Sequence, residues 1–334
     1  MRVLLYTENL KTVEKSGLGK AIKHQMKALE YENIEYTLNP KDDFDILHIN
    51  TYLLKSYFLV KKAKRLGKKI VYHAHSTQED FIGGFFFSNL LAPLFKKWLI
   101  ACYSLGDVIV TPTEYSKRLL EKYKGLEKKK IYAISNGIEI EFFKRDEKLG
   151  KKFRKDFKIK DSEKVIIGIG LYIERKGIVD FVELAKRLPE YKFIWFGYSS
   201  LSLTTQEVRD AVNTKLDNLL FAGYVERDVI RGAMNGCDLY LFPTFEETEG
   251  IPIIEAFACK TPALIRDIPI FVDFVDGKTV YKAKNVDEFE VKIKKILNKE
   301  LPYLGEEAYS LALDRDLKYI GKKLRKVYEQ VLGK

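Results

Sequence analysis

Short apolar segments alternate with longer amphipathic ones along this chain, and that alternation limits the folds open to it. In the first half, strands are predicted near residues 2–6, 45–49, 69–72, 108–111 and 131–134. Each gap between strands has room for a helix or a long crossover, so successive strands are expected to lie parallel in one sheet. Because Val, Ile and Leu occupy both faces of the strands, helices should cover the sheet on both sides.

A second series of the same kind follows a charged stretch, Lys144–Lys164, which is poor in strand formers. Its strands are predicted at 165–170, 192–196, 218–221, 239–242, 262–265 and 279–281. The inter-domain connection is placed inside the charged stretch. The predicted fold class is therefore α/β, with two Rossmann-like, doubly wound parallel-sheet domains, 1–155 and 156–310, that face a cleft. A C-terminal helix, 311–334, is expected to pack back across the domain junction.

Composition limits the partners and the compartment. The 334 residues include 58 Lys and Arg against 47 Asp and Glu. The formal net charge of +11 favours anionic partners, such as nucleic acid, acidic lipid or phosphorylated ligands. Cys102, Cys237 and Cys259 are far apart in sequence, so we expect buried free thiols and a reducing compartment. The N-terminus has the pattern of a first strand rather than that of a signal peptide.

Ligands of open α/β sheets bind beyond the carboxyl ends of the strands, so the chemistry is expected in strand-to-helix loops. The loop after the first strand contains Ser16, Gly17 and Gly19, whose backbone amides can approach a phosphate at the start of a helix. A dinucleotide fingerprint needs a third glycine where this chain has Ile22, so the loop does not fit a nicotinamide cofactor. The alternative is a plain turn capped by Ser16.

Two adjacent cations, Arg175 and Lys176, follow the first strand of the second domain and precede a predicted helix. Arg presents a bidentate fork and Lys a point charge, and together they suit a diphosphate. The alternative is a solvated basic turn.

A third loop places two carboxylates eight residues apart, with Glu247 in the loop and Glu255 on the following helix. Both can face one pocket, where carboxylates would accept hydrogen bonds from sugar or ribose hydroxyls. Gly250 follows the acidic residues, and Pro252 lies where a helix would begin, so free amides at that helix start can bind an anion. The alternative is that these acids only complement the helix dipole and that Glu255 is a surface charge.

His73 and His75 end another strand, on the same face. A metal site would need a third ligand that the nearby sequence does not offer, so no metal site is predicted. The preferred interpretation is a histidine that points into the cleft as a hydrogen-bond donor. The segment Asp43–Asp45 matches a metal-binding DxD pattern formally, and it is interpreted as the start of a strand.

Taken together, these loops resemble glycosyltransferase family 4, the retaining nucleotide-sugar enzymes with the GT-B fold. The most specific element is Glu247 to Glu255 in the context Phe-Pro-Thr…Glu…Gly-Ile-Pro-Ile-Ile-Glu-Ala. The cations before Gly177, the segment Ser135–Ile138 and the glycine loop occur in the same order and spacing as in the family. The resemblance covers nearly the whole chain.

The resemblance implies a role for each of these side chains. Glu255 would hold the ribose hydroxyls of the donor nucleotide, and Glu247 the hydroxyls of the transferred sugar. Arg175 and Lys176 would neutralise the leaving diphosphate, so neither a metal nor another cofactor is expected beside the UDP-sugar. His75 aligns with the family histidine that faces the sugar, and His73 is the second choice.

The resemblance also implies that backbone amides around Gly17, Gly19, Gly250 and Ile251 line the phosphates and the sugar. One departure from the family is Leu171, at a position where an arginine often follows the glycine. Arg175 is therefore expected to supply that charge.

The first domain is expected to bind the acceptor. Residues 1–150 contain 26 Lys and Arg against 18 Asp and Glu, and so carry most of the positive surplus. An apolar, aromatic segment next to the basic clusters favours a membrane interface. Six residues are predicted to meet it: Phe85, Phe86, Phe87, Lys96, Lys97 and Trp98. The alternative is a core helix with a packed loop.

The chain is similar to bacterial enzymes that glycosylate diacylglycerol or monoglycosyl-diacylglycerol, which make glycolipid and lipoteichoic-acid anchors. This similarity implies transfer of glucose or galactose from a UDP-sugar to a membrane lipid, with the enzyme peripheral on the cytoplasmic face of the cell membrane. One alternative is the same chemistry on a cell-wall or capsular glycan. Another is a non-enzymatic nucleic-acid binder, but the basic residues lack the setting of a known nucleic-acid module, so no nucleic-acid partner is expected.

Overall fold

The computed structural model describes residues 1–13, 16–82 and 88–333, apart from the side chains of Val13 and Leu203. The chain divides into two compact units. The first comprises residues 1–81, 90–139 and 315–334, and the second is built on residues 140–314.

The first unit contains a parallel sheet in the order β2-β1-β3-β4-β5-β6. The second contains a parallel sheet in the order β12-β11-β10-β7-β8-β9. The strands are β1 Arg2–Tyr6, β2 Glu35–Thr37, β3 Ile46–Ile49, β4 Lys69–His73, β5 Val108–Thr111, β6 Lys130–Ala133, β7 Val165–Ile169, β8 Lys192–Phe196, β9 Leu219–Gly223, β10 Leu239–Phe242, β11 Ala263–Arg266 and β12 Tyr281–Ala283. In the first sheet, later strands are added on one side of β1 and then, from β3 onward, on its other side; in the second sheet the same change occurs between β7 and β10. Open α/β sheets bind ligands at such switch points.

Helices form most of the connections. They are α1 Leu10–Val13, α2 Gly17–Tyr31, α3 Leu54–Arg65, α4 Gln78–Phe81, α5 Ser88–Tyr103, α6 Glu114–Glu121, α7 Ile140–Phe143, α8 Glu147–Asp156, α9 Ile178–Arg187, α10 Gln206–Asn213, α11 Arg227–Gly236, α12 Ile251–Ala258, α13 Val286–Leu297, α14 Gly305–Leu313 and α15 Leu317–Leu332. Two doubly wound α/β units were predicted from the alternation of strands and helices, and the prediction is confirmed.

Buried apolar clusters cover both faces of the first sheet. The neighbours Val71 and Tyr72 on β4 belong to different clusters, because successive strand residues point to opposite faces. Tyr328 of α15 lies in the same cluster as Val71, so the C-terminal helix completes the core of the first unit. A Cβ atom on Gly321 would lie 2.3 Å from the backbone oxygen of Ala28, so glycine permits the close approach of α15 to α2.

The charged stretch Lys144–Lys164 was wrongly interpreted as the inter-domain connection. It contains α8, which Asp146 caps by accepting hydrogen bonds from the amides of Lys148 and Leu149. A Cβ atom on Gly150 would lie 2.5 Å from the backbone oxygen of Asn235, so α8 packs closely on α11 inside the second unit. The division between the units therefore follows Glu139, instead of residue 155.

Several other predictions of local structure need correction. The predicted tail helix is two helices, α14 and α15, which are separated by residues 314–316. The helix that carries Glu255 begins at Ile251, one residue before the proline where its start was predicted. The three cysteines are buried free thiols, and this prediction is confirmed.

Candidate active site

The switch point of the second unit is built from the loops that follow β7 and β10. A 3-10 turn, Glu174–Lys176, ends at Gly177, whose φ of 74° is in the left-handed region. A Cβ atom at Gly177 would lie 2.2 Å from the backbone oxygen of Pro243. Glycine is therefore required both by the backbone conformation and by the contact between the two loops.

Hydrogen bonds join the same two loops around Arg175. Its backbone oxygen accepts from the Thr244 hydroxyl at 3.0 Å and from the Phe245 amide at 2.8 Å. Its guanidinium Nη1 donates to the backbone oxygen of Glu246 at 2.8 Å. Arg175 Nε is buried and has no hydrogen-bond partner among the described residues. The guanidinium is thus held in place and retains an unused donor.

Lys176 and Glu247 form an ion pair across this junction, and both side chains are mostly buried. The sequence predicted separate roles for them, with Lys176 on the diphosphate and Glu247 on the sugar. The structure places the two groups in direct contact, so a ligand that reaches one of them also meets the other.

Glu255 is fully buried on α12. The helix begins after Gly250, which has a φ of 81°, and Pro252 lies in its first turn, where no amide donor is needed. The hydroxyl of Tyr240 is buried without a partner among the described residues. Burial, followed by the charges of Glu255 and Glu247, raises the pKa of Tyr240, so both carboxylates act on this one hydroxyl. The two acids therefore share one region, as their spacing predicted.

Arg266 and Asp180 brace this site, and the sequence analysis did not identify them. Arg266 forms an ion pair with Asp180, and its Nε donates to the backbone oxygen of Pro243 at 2.9 Å. Its guanidinium lies 3.9 Å from the ring centroid of Phe245. Burial lowers the pKa of Arg266, while the Asp180 charge opposes that shift. The sequence feature that could have identified Arg266 is its position at the carboxyl end of an otherwise apolar strand.

We expect Gly177→Ala to destabilise the protein more than Gly223→Ala does. Both glycines have a left-handed φ, but a Cβ at Gly223 would meet no described atom within 4 Å. The Gly223 variant should cost about 1–2 kcal/mol of unfolding free energy, which is the cost of the conformation alone. The Gly177 variant should cost about 3 kcal/mol or more, because the Pro243 carbonyl must also move. Urea unfolding measures both values, and equal losses would contradict the contact.

In the first unit, the glycine loop leads into α2, which begins at Gly17. The Ser16 hydroxyl caps the helix by accepting from the Gly19 amide at 3.4 Å. A Cβ atom on Gly17 would meet none of the described residues within 4 Å. The predicted cap by Ser16 is therefore present, and Lys15, directly before it, lies outside the described residues.

His73 and His75 lie together at the end of β4, with ring centroids 4.0 Å apart and ring planes 2° apart. The ring centroid of the buried His48, on β3, lies 5.3 Å from that of His73. Burial lowers the pKa of both His48 and His75 to about 3, so these rings are neutral at ordinary pH. His75 Nε2 is 2.9 Å from the side-chain oxygen of Asn50, which accepts its proton. Sequence analysis identified neither Asn50 nor His48.

No group of three or more His, Cys, Asp or Glu side chains suited to a metal ion occurs in residues 1–13, 16–82 and 88–333. Asp45, from the formal DxD pattern, accepts from the Arg2 amide at 2.8 Å, directly before β3. This hydrogen bond therefore joins the first residue of β1 to the residue directly before β3.

The predicted membrane residues have different surroundings. Lys97 is exposed, whereas Lys96 lies 4.1 Å from the ring centroid of Tyr123. Trp98 is half-buried, and its Nε1 donates to the backbone oxygen of Tyr52 at 2.6 Å. Lys96 and Trp98 are thus held by packing within the first unit. Phe85, Phe86 and Phe87 lie outside the described residues.

Solved structures of other proteins share this architecture. Anabaena HepE, crystallised with UDP and glucose, has a TM-score of 0.76 and 15% identity, over 99% of this chain and 100% of that one. Sucrose-phosphate synthase from Thermosynechococcus elongatus has a TM-score of 0.81 and 12% identity, over 100% and 99%. At such identities the likeness shows the fold, which is that of the GT-B glycosyltransferases.

Sequence comparisons specify the family. The family described as "Glycosyl transferases group 1" matches residues 150–318, and "Glycosyltransferase Family 4" matches residues 29–142. A processive diacylglycerol alpha-glucosyltransferase of Acholeplasma laidlawii is 41% identical over 99% of both chains. An alpha-galactosylglucosyldiacylglycerol synthase of Streptococcus pneumoniae is 24% identical over 78% of this chain and 71% of its own. This chain therefore belongs to glycosyltransferase family 4 and is a hexosyltransferase, which confirms the resemblance found in the sequence.

Proposed function

We propose that this enzyme transfers a hexose, with retention of configuration, from a UDP-sugar to diacylglycerol or monoglycosyl-diacylglycerol in a membrane. The observation that carries this proposal is the 41% identity, over 99% of both chains, to a processive diacylglycerol alpha-glucosyltransferase. That likeness favours glucose over galactose as the transferred sugar. The word "processive" in the relative's name favours successive addition to both acceptors.

The charges of the second unit suit the departure of UDP. Breaking the anomeric bond leaves negative charge on the diphosphate, and fixed positive groups lower that barrier. Arg175 has an unused buried donor, and Lys176 lies beside it in the chain. The amides at the start of α12 supply the positive end of a helix dipole. In this proposal Glu255 accepts from the ribose hydroxyls, and Glu247 from the hexose.

Because the two side-chain cations balance the diphosphate charge, we expect turnover to need no divalent metal. Activity measured as UDP release should therefore be unchanged after treatment with EDTA. A loss that added Mg²⁺ or Mn²⁺ restores would contradict this part of the proposal.

An apolar and basic surface of the first unit supports a membrane acceptor. On α3, Leu54 and Phe58 are each 63% exposed and lie one turn apart. Lys61 and Arg65 continue the same stripe at helical spacing, and both are exposed. An exposed apolar stripe with basic neighbours is typical of a helix that lies in the membrane interface.

A second stripe lies on α5, where Leu90 and Leu94 are 77% and 67% exposed and Lys97 follows. The ring centroids of Tyr57 on α3 and Trp98 on α5 are 5.2 Å apart, so the two helices are neighbours. We call Leu54, Phe58, Leu90 and Leu94, with their basic neighbours, the α3–α5 surface. Trp98 supports this surface from inside the unit, whereas the sequence had suggested that it meets the lipid.

Membrane attachment at this surface would be peripheral, on the inner face of the cell membrane. Throughout the described parts of the chain, helices fall short of the length and hydrophobicity needed to cross a bilayer. Lysine and arginine near such a surface each add about 1 kcal/mol of attraction to anionic lipid. Attachment should therefore weaken as salt is raised.

The experiment that tests the proposed function supplies the enzyme with UDP-glucose or UDP-galactose and vesicles that contain diacylglycerol. Mass spectrometry identifies the lipid product, and the coupling constant of the anomeric proton gives its configuration. We expect α-glucosyl-diacylglycerol, followed by a diglucosyl product. Transfer only to soluble glycans, or a β-linked product, would contradict the proposal.

A further inference from the structure

A group of buried hydrogen bonds connects the ends of β3 and β4 in the first unit. Asn50 and His75 follow these strands, His73 ends β4, and Gln25 reaches the group from α2. The side chains of Asn50, His73 and Gln25 are each 2% exposed. In such a dry environment a hydrogen bond is stronger than in water, so the position of each shared proton has a large energetic consequence.

Gln25 sets the direction of these bonds, because an amide nitrogen only donates. Its Nε2 donates to the side-chain oxygen of Asn50 at 2.8 Å. It also lies 2.9 Å from His73 Nδ1, which must accept. The Asn50 oxygen, which only accepts, is 2.9 Å from His75 Nε2. The proton of that contact therefore belongs to His75 Nε2.

A second nitrogen lies near the same atom of His73. His48 Nε2 is 3.0 Å from His73 Nδ1, and His48 Nδ1 is 2.6 Å from the Tyr328 hydroxyl. A neutral imidazole has a single lone pair on this nitrogen, and the Gln25 amide already uses it, so the His48 contact does not fix the proton of His48. The tautomer of His75 therefore follows from Gln25 and Asn50 alone.

His75 is also neutral, because burial lowers its pKa to about 3. His73 and His48 are the titratable groups that interact with it, and burial lowers their pKa values too. A neutral ring with its proton on Nε2 has a lone pair on Nδ1. His75 Nδ1 makes no hydrogen bond within the described residues, so it is the ring nitrogen that remains for a substrate.

We propose that Asn50 is a positioning residue for His75: its amide oxygen holds the imidazole as the Nε2–H tautomer, so that Nδ1 accepts a hydrogen bond from a hydroxyl of the hexose. The inference rests on the proposed function, in which His75 faces the transferred sugar. It reverses the direction expected from the sequence, where the histidine was a donor to the ligand. Asn50 itself acts only through His75.

The tautomer can be read directly by nitrogen NMR of protein labelled with ¹⁵N-histidine. The chain has four histidines, so the spectrum contains eight ring nitrogens. A His75→Gln variant assigns the pair that belongs to His75. We expect a protonated Nε2 and a bare Nδ1 in the wild type, and a mixture of tautomers in Asn50→Ala. A wild-type proton on Nδ1, or an unchanged tautomer in Asn50→Ala, would overturn the proposal. This readout requires no substrate, so it stands even if the assumed donor or acceptor is wrong.

Kinetics then test the positioning role. Asn50→Ala should lower kcat about 10- to 100-fold, with the KM for the UDP-sugar changed little, because a misplaced group costs most in the transition state. Asn50→Asp keeps an acceptor of the same shape and should restore most of kcat at high pH. Its carboxylate raises the pKa of His75, so activity should fall as the pH is lowered through the new value, where Nδ1 gains a proton.

A matched control is Asn218→Ala in the second unit, which removes three hydrogen bonds to the backbone oxygens of Ala185, Leu188 and Tyr191. It should lower stability and leave kcat unchanged. If Asn218→Ala lowered kcat as much as Asn50→Ala, or if Asn50→Asp lacked the new pH dependence, the positioning role would be refuted. Absence of any turnover in the wild type would instead refute the proposed donor or acceptor.

Discussion

Replacing Lys176 with alanine is expected to lower kcat at least about a hundredfold, because a fixed cation next to the departing diphosphate is removed. The change should also destabilise the protein. Lys176 pairs with Glu247 where both side chains are mostly buried, and the carboxylate would be left unpaired. Removing one partner of a buried pair costs about 3–5 kcal/mol. Steady-state UDP release and urea unfolding measure the two effects separately.

A double variant separates the chemical effect from the structural one. Lys176→Met with Glu247→Gln removes both charges and keeps similar volumes, so most of the stability should return while the activity stays lost. Lys186→Ala is a surface control, since its ammonium lies 3.9 Å from the exposed Glu183. It should change neither quantity. Wild-type turnover in Lys176→Ala would show that the diphosphate lies elsewhere.

Vesicle binding is expected to fall about a hundredfold in the double variant Leu54→Ser with Phe58→Ser. Each side chain should contribute about 1.5 kcal/mol when it enters the lipid interface, and a loss of about 3 kcal/mol corresponds to that factor. Because both side chains are exposed, folding should be unaffected. Flotation with phosphatidylglycerol-rich vesicles measures the change in the partition coefficient.

The control for this experiment is Val272→Ser with Val291→Ser, which removes two exposed apolar side chains from the second unit. Its partition coefficient should match that of the wild type. Turnover of a short-chain, water-soluble acceptor should be normal in both double variants. Equal vesicle binding by all three proteins would eliminate the α3–α5 surface as the site of attachment.

The contact between the loops that follow β7 and β10 could be predicted from the sequence, because a general property of parallel sheets brings these loops together. Carboxyl ends of neighbouring parallel strands meet at one edge of a sheet, so Arg175, Lys176 and Glu247 had to come close. The ion pair between Arg266 and Asp180 follows no such rule. It joins residues 86 positions apart through their side chains, and only the packed structure brings them together.

Other differences have equally local causes. Helix α8 was missed because most of its residues are charged, and only two apolar side chains, Leu149 and Phe153, show the helical spacing. Trp98 was assigned to the membrane interface because it lies in an apolar, aromatic segment with lysines at its edge, whereas its indole nitrogen has a partner inside the unit. His75 was found through its position at a strand end. The oxygen of Asn50 that orients it lies 25 residues away and was visible only in the fold.

A crystal structure with bound UDP tests the central claim most directly. We expect the diphosphate within hydrogen-bond distance of the Arg175 and Lys176 side chains and of the first amides of α12, with the ribose hydroxyls on the Glu255 carboxylate. UDP bound at any other place, with these side chains unchanged, would contradict the assignment of the donor site.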